Sequence, residues 1–372
     1  MHDAALHHLR ATLQTHIDDG LLPGAVAYIQ HRGATPFFEA FGARAPGAEA
    51  MAPDSIFRIY SMTKPIVSLA AMMLVEQGRL LLTQPVSRWL PAFRNQQVLT
   101  AGGLEPVQRE ATVQDLLRHT AGLSYGWEEG PIADAYRAAR IGSRGLTNAQ
   151  TAAALGPLPL ARQPGSAWEY SRATDVLGMV LEAVCNEPLG ALLQRMVLGP
   201  LGMVDTGFYV PEASHSRLAE PFAQNPLTGA AVTLNDVRAP VPLEPAGGGL
   251  VSTAADYARF LSLMLGQGTY QGVRLAGRKT IALMTADHLG DIPVAGTILP
   301  PGYGFGLGFA VRRSEGVAAR LGSPGQYSWS GMSGTVFFVD PAEELFAMLL
   351  VQAPGQLDYL CDLWPNLVYA GL

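Results

Sequence analysis

The strand-like segments of this 372-residue chain lie at its two ends, and that placement limits the folds open to it more than any other feature. Near the start, 25–30 and 36–41 flank a His31-Arg32-Gly33 turn. Near the end, 335–339 and 345–351 flank Asp340-Pro341-Ala342-Glu343-Glu344, which carries turn chemistry. Segments 304–311 and 326–330 are predicted to be further strands. Leu6, Leu9, Leu13 and Ile17 recur at helical spacing through 3–19 and stop at Gly20. The middle is mainly helical, with helices predicted near 64–77, 174–185, 188–197 and 278–286. Thr112 with Asp115, and Thr253 with Asp256, read as capping boxes opening two more.

Hairpins at opposite ends bury their apolar faces best by joining. The expected fold class is therefore α/β of the α+β type, a central antiparallel sheet flanked by helices with a mainly helical domain inserted. Approximate boundaries are 1–80 and 235–372 for the sheet domain and 81–234 for the insertion. With 48% hydrophobic and 15% charged residues the chain has material for a large core. The 41 glycines and 27 prolines predict long, shaped connections that suit a cleft enzyme.

A net charge of −6 gives no basic footprint for nucleic acid. The apolar run 66–75 breaks at Glu76-Gln77-Gly78, too short for a bilayer, and reads as a buried helix rather than a membrane anchor. Met1-His2-Asp3 leads into a helical pattern with no basic, apolar leader, so a cytoplasmic location is expected. Cys185 and Cys361 are far apart without metal-ligand spacing, which fits two core thiols in a reducing compartment and no metal site.

Two lysines stand against 23 arginines, and one of them, Lys64, follows Ser61 by three residues in Ser61-Met62-Thr63-Lys64. A lysine is able to give up its proton inside a protein, whereas an arginine is not. Pro65 is tolerated only in a first helical turn, so Ser61 belongs at the very start of the helix, where unpaired N–H groups favour developing negative charge. Lys64 then shares a face with Ser61, backed by the apolar run.

A rival nucleophile is Ser124 in Gly122-Leu123-Ser124-Tyr125-Gly126, which matches the Gly-x-Ser-x-Gly elbow. The elbow requires a strand before and a helix after. Here 112–119 reads as a helix and Trp127-Glu128-Glu129-Gly130-Pro131 as a loop. His215 and His288 lie downstream in no recognisable motif, and His119 is expected to be a structural, hydrogen-bonded residue.

Three more segments complete the pattern. Tyr170-Ser171-Arg172-Ala173-Thr174-Asp175 precedes a helix and offers a phenol. Pro245-Ala246-Gly247-Gly248-Gly249-Leu250 is a glycine-rich turn. Trp329-Ser330-Gly331-Met332-Ser333-Gly334 joins two strands, where bare backbone approaches a substrate carbonyl. The order Ser-x-x-Lys, Tyr motif, Gly-containing strand motif resembles that of serine β-lactamases and penicillin-binding proteins. In detail the chain resembles the family VIII carboxylesterases, esterases similar to class C β-lactamases. The phrases that carry this are 57–64, 116–123, 170–178 and Pro200-Leu201-Gly202-Met203, and the likeness spans roughly 20–355.

The resemblance implies an active site between sheet and helical lobe. Ser61 is the nucleophile, Lys64 or Tyr170 takes its proton, and the N–H groups of Ser61 and Met332 hold the oxyanion. Trp329, Ser330, Gly331, Tyr125, Trp127, Tyr303 and Phe305 are expected to contact substrate, a small short-chain ester. No cofactor is implied. Lactamases place Lys-Thr-Gly where this chain has Trp329-Ser330-Gly331, and commonly Asn where it has Arg172; both departures favour esters. A β-lactamase or D-amino-acid peptidase, an acyltransferase and a non-catalytic penicillin-binding module remain alternatives.

Overall fold

The two ends of the chain meet in one sheet in the computed structural model, which describes residues 1–372. Strand β1 (Gly24–His31) turns into β2 (Ala34–Gly42). The others are β3 (Tyr303–Phe305), β4 (Ala310–Arg312), β5 (Tyr327–Gly331), β6 (Thr335–Asp340) and β7 (Leu345–Val351). Their spatial order is β2-β1-β7-β6-β5-β4-β3, all antiparallel. The closure is β1 on β7, with Ala25 opposite Val351 and His31 opposite Leu345.

Strand periodicity divides the interior into two cores. From β7, Leu345, Ala347, Leu349 and Val351 enter a core shared with Leu9 and Leu13 of helix α1 (Asp3–Asp18) and Leu360 and Trp364 of the C-terminal helix (Leu357–Tyr369). Phe346, Met348 and Leu350 point the other way. There they join helix α2 (Thr63–Glu76) and the residues of the helical region in a larger core. Both faces of the central strand are covered, so its sequence is apolar throughout instead of alternating.

The segment 304–311 is not one strand, as expected, but a hairpin: Phe305 faces Ala310 across the β3–β4 pair. Gly308 adopts φ +100°, and a Cβ there would lie 2.4 Å from Ser68 Oγ, so the chain reverses where only glycine fits. The expected helix at 188–197 runs further, Leu189–Leu193 passing through a π-wound stretch, Gln194–Leu198, to Leu201. Cys185 and Cys361 are free and half-buried rather than fully buried core thiols. No single helix is long and apolar enough to cross a membrane.

The two capping patterns resolve differently. Thr112 and Asp115 form a complete box on helix α3 (Val113–Leu117). Thr253 accepts from Asp256 N–H, but the Asp256 carboxylate accepts from Asp205 N–H and the Thr206 hydroxyl instead of closing a box.

Asp115 is fully buried and also meets Arg109, Arg118 and Thr120. Burial alone would raise its pKa, but the bonds from Arg109, Thr112 and Thr120 outweigh it and hold the carboxyl at about 2 against an ordinary 3.8. A folded pKa below the free one stabilises the fold above pH 4, a contribution of about 2 kcal/mol lost as pH falls through 2. Asp115→Asn is therefore expected to lose about 2 kcal/mol at pH 7 in chemical denaturation, and the gap to the parent should narrow at pH 3.

Candidate active site

Ser61 sits in a single 3-10 turn, Tyr60–Met62, immediately before α2, with Pro65 in the first turn of that helix. Tyr60 is held at φ +42°, a left-handed conformation costly for a bulky residue, directly before the serine. The surroundings fix this turn. Tyr257 donates to Met62 O at 2.9 Å, and Leu250 N–H donates to Thr63 Oγ1 at 3.1 Å. On the sheet side the end of β5 lies so close that a Cβ on Gly331 would come within 2.4 Å of Ile59 O. The N–H groups of Ser61 and Met332 donate to no protein acceptor.

Two groups reach Ser61 Oγ. Tyr170 OH lies 2.7 Å away and Lys64 Nζ 3.2 Å away. Lys64 is completely buried, and Nζ also contacts Gly247 O at 2.6 Å and Tyr125 OH at 2.9 Å. It stands 4.5 Å from the centroid of the Tyr170 ring. Trp329 Nε1 donates to Tyr170 OH at 3.4 Å, so the third motif supplies a hydrogen bond to the phenol. Burial, followed by the nearby Tyr170 and Asp175, pushes the Tyr125 pKa far above the usual phenol value, which keeps Tyr125 a neutral phenol.

Trp127, 66% exposed, stacks on Tyr125 with 4.4 Å between centroids. Tyr125, Tyr170 and Trp329 continue the wall at 5.2 Å spacings. Ser330 is half-buried beside Trp329 on β5. Tyr303 and Phe305, expected to contact substrate, belong instead to the core. Phe305 is fully buried edge-on to Trp329 at 5.2 Å, and Tyr303 donates to Gln326 Oε1.

The elbow serine has no base. Ser124 Oγ accepts Gly126 N–H at 3.0 Å, closing its own turn. His215 is engaged with Val210 O and Arg238 O, and His288 with Gln114 and Leu283 O. The turn carries Tyr125, whose hydroxyl contacts Lys64 Nζ. His119 is structural as expected: its Nδ1 accepts Ser171 N–H at 3.3 Å, and burial together with the Lys64 charge depresses its pKa, leaving the imidazole neutral. The Gly247 carbonyl is the group that sequence reasoning missed as a lysine partner. A cavity of about 400 Å³ between residues such as Leu198, Phe208 and Glu244 is lined by none of these groups.

A family model described as Beta-lactamase matches residues 9–371. Protein Rv1367c of Mycobacterium tuberculosis is 38% identical, over 92% of this chain and 89% of the relative. Esterase EstB of Burkholderia gladioli is 35% identical, over 92% of this chain and 90% of the relative. Among solved structures, EstCE1, described as a hydrolase with promiscuous acyltransferase activity, superimposes with a TM-score of 0.83. The two are 28% identical, and the match covers 99% of this chain and 98% of that one.

Proposed function

The chain belongs to the beta-lactamase family of serine hydrolases, and from that premise we propose that it cleaves short-chain carboxylic esters through an acyl-enzyme on Ser61. The observation that carries this reading is the convergence of Tyr170 OH and Lys64 Nζ on one serine oxygen, at 2.7 and 3.2 Å. In the proposed reaction Ser61 Oγ attacks the ester carbonyl while its proton passes to the Tyr170–Lys64 pair. The oxyanion is received by the unpaired N–H groups of Ser61 and Met332. Collapse breaks the ester C–O bond, and the alcohol leaves with a proton from Tyr170. Water then attacks the acyl group, gives its proton to the same pair, and Ser61 regains its hydroxyl. Residues 1–80 and 235–372 supply the serine turn and the turn that carries Met332, and 81–234 supply Tyr125 and Tyr170, so under the proposed domain division the chemistry lies at their junction.

Esters are favoured over β-lactams by what occupies the third motif. Trp329 fills the position with an indole turned onto Tyr170, a group without the charge to hold a substrate carboxylate. A p-nitrophenyl butyrate assay tests the reading: a burst equivalent to the enzyme concentration, and kcat/KM at least about a hundredfold above that for a cephalosporin, are expected. The opposite ranking would favour a lactamase. Acyl transfer is a second reading, motivated by the likeness to EstCE1. Product partitioning toward a long-chain alcohol acceptor would reveal it.

A further inference from the structure

We propose that Asp175 is a positioning residue for Lys64, acting through the glycine turn 245–250. This rests on the reading above, in which Lys64 exchanges protons with Ser61. Asp175 lies in the first turn of helix α4 (Ala173–Cys185), where an acidic side chain ordinarily serves its own helix end. Its carboxylate does not cap that helix. Oδ1 instead accepts the N–H of Gly247 at 2.7 Å, across 72 residues of sequence, and Gly247 O in turn accepts Lys64 Nζ at 2.6 Å. Oδ2 faces Arg172, whose Nη1 is 3.5 Å away, and Arg172 holds the place where lactamases carry an amide.

The N–H and the carbonyl of Gly247 belong to different peptide units, so the influence of Asp175 is geometric. Three consecutive glycines, Gly247-Gly248-Gly249, give this turn more backbone freedom than any other tripeptide would. Gly248 and Gly249 donate to Pro245 O, and Leu250 donates to Thr63, which leaves Gly247 as the point needing its own restraint. Asp175 supplies it. A Cβ on Gly247 would lie 2.8 Å from Asp175 Oδ1 and 3.1 Å from Tyr125 OH. A carboxylate and a phenol thus fill the space into which a side chain at 247 would project, while the Gly247 carbonyl holds the lysine.

The test separates position from charge. Asp175→Asn keeps an oxygen acceptor for Gly247 N–H, whereas Asp175→Ala removes it. Asp175→Ala is expected to lower kcat for p-nitrophenyl butyrate at least about tenfold with KM within about threefold, while Asp175→Asn keeps at least about half of the parental kcat. Active sites are counted by phosphonate labelling so that misfolded protein does not enter kcat. Gly247→Ala perturbs the same contact from the turn, and its loss is expected not to multiply with that of Asp175→Ala in the double variant. Equal losses in Asn and Ala, or parental kcat in Asp175→Ala, overturn the proposal. Activity that survives Ser61→Ala overturns the esterase reading itself, a different result from Asp175→Ala at parental kcat while Ser61→Ala is dead.

Discussion

A Ser61→Ala protein exposed briefly to a phosphonate or an activated short-chain ester is expected to carry no covalent adduct by intact-mass spectrometry, with kcat reduced by about 10⁵- to 10⁶-fold. The size of the loss follows from geometry. Tyr170 and Lys64 converge on one oxygen, so removing that oxygen disables the unit and not a single increment. Ser124→Ala should label to the same stoichiometry as the parent, because Ser124 Oγ is occupied by the N–H of Gly126 and no histidine is directed to it. An adduct that persists in Ser61→Ala and disappears in Ser124→Ala would reverse the assignment. The fold should survive Ser61→Ala, since the turn is held through its backbone and through Met62, Thr63 and Gly331.

Local constraints of this kind were readable from the chain; contacts between distant backbones were not. Pro65 located the start of α2 because proline excludes most other helical positions. The terminal hairpins foretold the closure of β1 on β7, since each had an apolar face to bury. Residues 304–311 misled because glycines within an apolar run leave strand and hairpin equally open until the packing of Gly308 on Ser68 decides. Tyr125 was expected to contact substrate, yet its hydroxyl contacts Lys64. A carbonyl such as Gly247 O has no side-chain signature, and 183 residues separate it from the lysine it holds. Trp329 was legible as a departure from the lactamase pattern, but its bond to Tyr170 required the crossing of β5 behind the phenol.

Lys64 is expected to tolerate neither Met nor Arg, and the comparison between them says what the lysine supplies. Lys64→Met keeps an unbranched apolar stem but leaves Gly247 O and Tyr125 OH unpaired in a buried site, at a stability cost of about 1–3 kcal/mol. Its kcat should fall by about 10³- to 10⁴-fold, the range expected when positioned proton transfer is removed. Lys64→Arg retains a positive charge beside Tyr170, so a purely electrostatic role would preserve much of the activity. A guanidinium, however, does not release its proton and is too broad for a site with no exposed surface. The expected result is an Arg variant at least as slow as the Met variant, both labelling sluggishly with phosphonate, while folding is verified by thermal melting. An Arg variant within tenfold of the parent would mean that charge alone suffices and that Tyr170 exchanges the Ser61 proton unaided. A lysine in a chain otherwise rich in arginine then has a chemical reason at this one position under the proposed reaction: a guanidinium set against Ser61 and Gly247 would hold its proton.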